Sequence, residues 1–289
     1  QDVNAIVSAL CADDLLSHPK VQSAVIGAYG RQCRWRDCID LVRELQRKGI
    51  ALDVIAYSVA IGACGKGGAW PQVLAFLEEM WQRRPGPDVI AYNLAIGACG
   101  KSAEWRQALA LLAEMQCKLL EMDAITCSSA ISACNRGEEW RQAVALLGEM
   151  QRSAIELDVI IYSATISACE KGHKWPIALV LLQEIQKQGL VPDVISWNAV
   201  ISACQRDGHW KAALAVLRRM QENNNMATPN DITYSATILA CIEGREWAMA
   251  FAVLDGMALR RADPDVATRS RLLAECEEHY LIGREELIL

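Results

Sequence analysis

Residues 54–88 read VIAYSVAIGACGKGGAWPQVLAFLEEMWQRRPGPD, and the spacing of the apolar residues in this stretch decides the fold. Tyr57, Ala60, Ile61 and Cys64 fall at i, i+3, i+4 and i+7, the stripe of one amphipathic helix. Gly65, Gly67 and Gly68 are expected to supply a break. Trp70, Val73, Leu74, Leu77 and Met80 then form the stripe of a second helix, with Pro71 tolerated in its first turn. Pro85, Gly86 and Pro87 end that helix before Asp88. The stretch is therefore expected to fold as an antiparallel helix pair.

The same spacing recurs on both sides of it. A Cys-x5-Trp pattern stands at Cys64/Trp70, Cys99/Trp105, Cys134/Trp140, Cys169/Trp175, Cys204/Trp210 and Cys241/Trp247, stepping by 35 residues with one step of 37. A fixed period of this length means one small module copied and stacked. The expected fold class is all-α, an α-solenoid of helix-turn-helix repeats. Seven repeats can be drawn, at 19–53, 54–88, 89–123, 124–158, 159–193, 194–230 and 231–265. Residues 1–18 are read as a partial preceding repeat, and 266–289 as a degenerate carboxy-terminal half-repeat. Asn223, Asn224 and Asn225 fall in the two-residue expansion of the sixth repeat, read as a solvated loop.

Composition narrows the function. The repeat runs through nearly all 289 residues and leaves no room for a separate catalytic domain. Polar residues interrupt every apolar stretch well short of the run of about 20 needed to cross a bilayer, so no membrane span is expected. Because the chain starts at Gln1 with no signal peptide or Arg-rich leader, it is expected to be a mature form or a fragment. Seven of the twelve cysteines (Cys64, Cys99, Cys134, Cys169, Cys204, Cys241 and Cys276) share one repeat position. Stacked helices lie about 10 Å apart, too far for α-carbons joined by a disulfide, so these are read as buried small hydrophobes in a reducing compartment. No Cys or His spacing suits a zinc site, and no cofactor is expected. The four histidines, His18, His173, His209 and His279, have no repeated acidic or Cys partner that would form a triad. The chain is expected not to be an enzyme.

Packing assigns most repeat positions. Ile26, Ile61, Ile96, Ile131, Ile166, Ile201 and Ile238 hold the eighth place, and Ala28, Ala63, Ala98, Ala133, Ala168, Ala203 and Ala240 the tenth, as core and close-contact residues. Trp35, Trp70, Trp105, Trp140, Trp175, Trp210 and Trp247 open the second helices, where a ring can wedge between neighbouring repeats or stack on a ligand.

Four ladders are left over. The fifth place holds Ser23, Ser58, Asn93, Ser128, Ser163, Asn198 and Ser235; the last place holds Asp53, Asp88, Asp123, Asp158, Asp193, Asn230 and Asp265. The last-place residues can cap the following helix, and the fifth-place serines can serve close helix contact; the alternative is a recognition surface. The second place holds Ile55, Ile90, Ile125, Ile160, Ile195 and Ile232, open to a core or a surface reading. The thirteenth place holds Arg31, Lys66, Lys101, Arg136, Lys171 and Arg206, ending in Glu243. One cation per copy is what a phosphate track requires. The net charge of −6 runs against nucleic-acid binding, but Glu78, Glu79, Glu114, Glu149 and Glu184 gather on second helices, and the distribution of charge matters more than its sum.

VIAYNLAIGACGKSAEWRQALALLAEMQ (Val89 onward) and VISWNAVISACQRDGHWKAALAVLRRMQ (Val194 onward), with the terminal Asp ladder, resemble the pentatricopeptide repeat family of the P class. The Trp that opens each second helix departs from the aliphatic residue more usual there. The resemblance implies a right-handed superhelix that binds single-stranded RNA, one base per repeat. It implies that the fifth- and last-place residues read each base together, that the second-place isoleucines sandwich it, and that the thirteenth-place cations meet phosphates. Ser with Asp then implies guanine, Asn93 with Asp123 uracil, and Asn198 with Asn230 cytosine or uracil, giving GGUGG(C/U)G from 5′ to 3′. Lys20 and Gln22 weaken the first repeat, and Glu243 the seventh. The family implies a mitochondrion or chloroplast and a part in organellar RNA processing or stability, with possible protein partners. The rival readings are a tetratricopeptide-like protein-binding scaffold and a non-catalytic fragment of a larger RNA-processing protein.

Overall fold

A computed structural model describes residues 18–83, 86–153, 155–222, 227–259 and 263–278. The partial helix expected before residue 18, the Asn223–Asn225 loop, His279 and the Cys276 side chain lie outside the described residues. The described residues hold fifteen helices and no strand. The first helices of the repeats are α1 (Pro19–Arg31), α3 (Val54–Lys66), α5 (Val89–Lys101), α7 (Ala124–Arg136), α9 (Val159–Lys171), α11 (Val194–Arg206) and α13 (Asp231–Glu243). The second helices are α2 (Trp35–Arg47), α4 (Trp70–Arg83), α6 (Trp105–Cys117), α8 (Trp140–Arg152), α10 (Trp175–Lys187), α12 (Trp210–Glu222) and α14 (Trp247–Leu259); α15 (Val266–Glu278) follows.

The chain divides into two compact units, up to Glu156 and from Leu157. In the first, α1, α3, α5 and α7 stack in chain order, and each of α2, α4 and α6 packs on its own first helix and on the next one. In the second, α9, α11 and α13 stack likewise, with α10 and α12 bridging successive first helices. This is α-solenoid packing, in which each repeat buries its apolar face on its neighbours.

The core follows the sequence periods. All seven eighth-place isoleucines are fully buried, as are Cys64, Cys99, Cys134, Cys169, Cys204 and Cys241. Burial pushes the Cys99, Cys134 and Cys241 thiols up to about 11 and those of Cys169 and Cys204 to about 12, so they pack as protonated, unreactive groups. The fourth-place aromatics carry a polar tip into the stack. Tyr92 Oη accepts from Trp81 Nε1 at 3.1 Å and donates to Glu114 Oε1 at 2.9 Å, joining the second helix before it to its own.

The break between helices differs from the expected glycine loop. Helix α3 runs through Gly65, where an added Cβ would lie 2.9 Å from the Ala98 Cβ on α5. That glycine serves close helix approach, and Gly30 and Gly100 do the same against Ala63 and Ala133. The turn itself is made by the fifteenth place, left-handed in every repeat whether it is Gly68 and Gly208 or Cys33, Ala103, Glu138, His173 and Arg245. The next N–H closes a six-residue bond onto the eleventh-place carbonyl, as from Ala69 to Cys64 at 3.0 Å and from Glu104 to Cys99 at 2.9 Å. That bond is half of a Schellman ending.

Glycine at the fourteenth place answers to tryptophan. An added Cβ on Gly67 would stand 2.0 Å from Trp35 Cδ1, on Gly137 2.2 Å from Trp105, and on Gly244 2.2 Å from Trp210. Each ring is wedged on the turn of the following repeat, which supports the packing reading of the ladder. Gly67→Ala is expected to destabilise the first unit by about 1–2 kcal/mol through overpacking, read from the midpoint of denaturant unfolding. Ser102 occupies the same place in the next repeat, so the ring can adjust and the cost stays moderate.

Candidate nucleic-acid interface

The last-place residues cap the first helices. One side-chain oxygen, Oδ1, accepts the N–H of the third residue of the helix: Asp53 from Ala56 at 2.7 Å, Asp88 from Ala91 at 2.8 Å, and Asp123 from Thr126 at 2.7 Å. Asp158 accepts from Ile161 at 2.8 Å, Asp193 from Ser196 at 2.8 Å, Asn230 from Thr233 at 3.0 Å, and Asp265 from Thr268 at 2.9 Å. Capping therefore accounts for Asp or Asn at this place. It engages a single oxygen and leaves the rest of each side chain for other partners.

Three fifth-place residues meet their last-place partners directly. Asn93 Nδ2 lies 3.4 and 3.5 Å from the two carboxylate oxygens of Asp123. Ser163 Oγ lies 3.1 Å from Asp193 Oδ1, and Asn198 Nδ2 lies 3.3 Å from Asn230 Oδ1. Burial raises the Asp123 carboxyl, but the N–H and hydroxyl of Thr126, the Asn93 amide and the Ile125 N–H outweigh it and hold the group below the usual range. Asp265 is likewise lowered, by Thr268 beside it, whose N–H donates at 2.9 Å; the Thr268 and Ser235 hydroxyls are buried without a hydrogen-bond partner. Ser23 instead donates to the Lys20 carbonyl at 3.2 Å. Ser128 and Asp158 belong to different compact units; Ser128 is half-buried on α7.

The serines are more covered than a reading surface suggests. Ser58, Ser163 and Ser235 are 9%, 6% and 5% exposed, whereas Asn93 and Asn198 are half-buried. Ser58 Oγ is buried with no hydrogen-bond partner. The groove beside it, of about 550 Å³, is lined by Ser23 and Ser58, Ile55 and Ile90, Arg31 and Lys66, and Asp88. Members of all four ladders converge there within one unit. Much of its remaining wall, including Gly27, Gly62, Val59 and Leu94, was not singled out from the sequence, because these residues read as ordinary helix positions.

The isoleucine ladder is a surface feature. Ile55, Ile90, Ile125, Ile160, Ile195 and Ile232 are 61–67% exposed, so the core reading of this place is excluded. A β-branched side chain repeated on an open face offers apolar area that the fold itself does not use. Arg31, Lys66, Lys101, Arg136 and Arg206 are exposed and Lys171 is half-buried. The track has local counter-charges. Arg206 lies 3.7 Å from Glu170, whose carboxyl burial raises, and Glu243 pairs with Arg271 at 3.7 Å.

A further set of polar groups was missed. The hydroxyls of Thr126, Ser196 and Thr233, at the third place, sit within hydrogen-bond distance of both members of the couple beside them. In sequence this place alternates with Ala56, Ala91 and Ile161 and reads as core. Elsewhere, His173 Nδ1 lies 3.2 Å from Asp207 in an exposed pair. Among the described residues no three His, Cys, Asp or Glu side chains are grouped to hold a metal ion, and no helix is long and apolar enough to cross a membrane.

Three family models match the chain. One described as the PPR repeat family matches residues 87–136 and 192–243, one described as a pentatricopeptide repeat domain matches 40–102, and one described as the PPR repeat matches 23–50 and 125–155. No curated protein matches the sequence. The crystal structure of the maize pentatricopeptide repeat protein PPR10 superposes with a TM-score of 0.74 at 23% identity, covering 100% of this chain and 43% of that one. PPR10 in complex with an 18-nt psaJ RNA element gives 0.54 at 17% identity, over 99% of this chain and 47% of that one. The PPR domain of Arabidopsis thaliana protein-only RNase P 1, in complex with tRNA, gives 0.55 at 12% identity, over 63% of this chain and 95% of that one. At these identities the likeness is one of fold, and the chain spans less than half the length of the maize protein.

Proposed function

We propose, from the premise that the chain belongs to the pentatricopeptide repeat family, that it binds single-stranded RNA with one base at each repeat, as a binder rather than an enzyme. The observation that carries this reading is the contact of Asn93 with Asp123, at a place flanked by the exposed Ile90 and Ile125. The RNA-bound structures of PPR10 add support at the level of fold.

Hydrogen-bond bookkeeping says what each couple can accept. The cap occupies Asp123 Oδ1, leaving Oδ2 as an acceptor, while Asn93 Oδ1 is taken by Thr126 and leaves Nδ2 as a donor. A donor beside an acceptor matches uracil, whose O2 accepts and whose N3–H donates. In the sixth repeat the cap takes Asn230 Oδ1 and Thr233 takes Asn198 Oδ1, so both amides present only N–H. Two donors match O2 and N3 of cytosine, which narrows the sixth base to C. A serine with an aspartate offers two acceptors to the N1–H and N2–H2 of guanine once the serine proton is held internally. The sequence bound is GGUGGCG, with the first, second and last bases least discriminated, and the setting is processing or stabilisation of an organellar transcript.

Fluorescence anisotropy with a labelled GGUGGCG 7-mer tests this. The single strand is expected to bind more tightly than its duplex and than GGGGGCG. The logarithm of the binding constant should fall with the logarithm of salt with a slope of about −0.7 per phosphate engaged, to about −4 for six cations. Lys66→Gln is expected to weaken all RNA sequences equally and to reduce that slope by about 0.7. Absence of single-strand binding at low salt returns the chain to the scaffold reading.

A further inference from the structure

In three repeats a hydroxyl at the third place of the following repeat stands beside the reading couple, and elsewhere this place is alanine or isoleucine or carries an unpartnered threonine. Thr126 Oγ1 lies 2.5 Å from Asn93 Oδ1 and 2.7 Å from Asp123 Oδ1. Thr233 Oγ1 repeats this at 2.6 Å from Asn198 Oδ1 and 2.8 Å from Asn230 Oδ1. Ser196 Oγ lies 2.7 Å from Ser163 Oγ and 2.5 Å from Asp193 Oδ1. Where the place is Ala91 there is no hydroxyl, and the Ser58 hydroxyl beside it is buried without a partner; beside Asp265 the Thr268 and Ser235 hydroxyls are also buried without one, so the seventh couple is not fixed in this way.

We propose that this third place is a specificity-determining position, whose hydroxyl fixes which hydrogen-bonding group the neighbouring fifth-place residue turns toward the base. The inference rests on the base-reading function above. A hydroxyl carries one proton, which Thr126 gives to only one of the two oxygens beside it at a time; donated to Asn93 Oδ1, it holds that carbonyl turned inward. The Asn93 amide is thereby held with Nδ2 on the Asp123 side, where one N–H faces the carboxylate and the other is left as a donor suited to uracil O2 and mismatched to the N2–H2 of guanine. Without that hydroxyl the amide can turn over and offer Oδ1 to guanine. Ser163 is subject to the same control, because its proton is shared among Ser196, Asp193 and the Val159 carbonyl at 2.6 Å. It is left as an acceptor for guanine N2–H2. The Ser58 hydroxyl has no partner to hold its proton, so it is committed neither to donate to a pyrimidine O2 nor to accept from guanine. The third-place residue acts through the couple and touches no base itself.

The test is a ratio of affinities, which loss of fold or of overall binding does not move. Thr126→Val keeps the side-chain shape and the capping N–H but removes the hydroxyl. Its preference for GGUGGCG over GGGGGCG is expected to fall about fivefold, the worth of one neutral hydrogen bond. Thr126→Ser should retain the wild-type ratio. In the opposite direction, Ala91→Ser places beside Ser58 the hydroxyl that Ser196, itself fully buried, places beside Ser163. It should raise the preference for G over U at the second base about fivefold. The proposal is overturned if the wild type prefers uracil at the third base and Thr126→Val keeps that preference, or if Ala91→Ser leaves the second-base ratio unchanged. A wild type with no third-base preference fails the base-reading function itself, a separate result.

Discussion

Trp197→Ala is expected to destabilise the second compact unit by about 3–5 kcal/mol, the range for emptying the volume of a buried aromatic. Trp197 is 1% exposed and stands first among the largest fully buried side chains. It holds the fourth place of α11, where Tyr57, Tyr92, Tyr162 and Tyr234 stand in other repeats. Helix α11 packs against α9, α10, α12 and α13, so the cavity opens among several helices that no single side chain can refill. Stability in a stacked array is a sum of repeat and nearest-neighbour terms, so the loss should stay local. Native-state hydrogen exchange is the measurement. Amides of α9 to α13 should lose protection while those of α3 and α5 keep theirs. Trp197→Tyr, which restores the residue of four other copies, should cost less than about 1.5 kcal/mol. Uniform loss of protection along the chain would count against nearest-neighbour stability.

The same nearest-neighbour logic explains what could be read from the residues alone. Helix boundaries were legible because each repeat carries its own cap at the last place and its own Trp at the start of the second helix. The inter-helix turn was not. Gly65 reads as loop, yet its missing Cβ serves contact with Ala98, while the left-handed turn residue in other copies is Glu138 or His173. The conformation there is imposed by the closing hydrogen bond onto the eleventh-place carbonyl, and side-chain type leaves no trace of it. The second-place isoleucines could be counted from sequence but not assigned a side, since a β-branched residue beside a core stripe suits either environment until its exposure is known. Fifth- and last-place residues were legible as pairs because they recur. The way their side chains are turned was not, because the hydroxyls that stand beside three of the couples alternate with alanine and isoleucine at a buried position.

Asn93→Ser is expected to move the third-base preference from uracil to guanine by about 1–3 kcal/mol, the scale of a single base discrimination. The substitution replaces a committed donor by a hydroxyl beside Thr126 and Asp123, the arrangement Ser163 already has beside Ser196 and Asp193. The couple then offers two acceptors where it offered a donor and an acceptor. Asp123→Asn is the complementary change. Asn230 shows that an asparagine can cap here, with a capping bond of 3.0 Å, so the helix start should survive with little loss. The cap would take the new amide oxygen and leave two donors, and the third base should become cytosine. Competition binding of the four 7-mers GGNGGCG to wild type and both variants separates the outcomes. Uracil retained by Asn93→Ser would mean that Asn93 and Asp123 meet only to cap α7, whereas guanine for one variant and cytosine for the other would show a couple read by its free hydrogen-bonding groups.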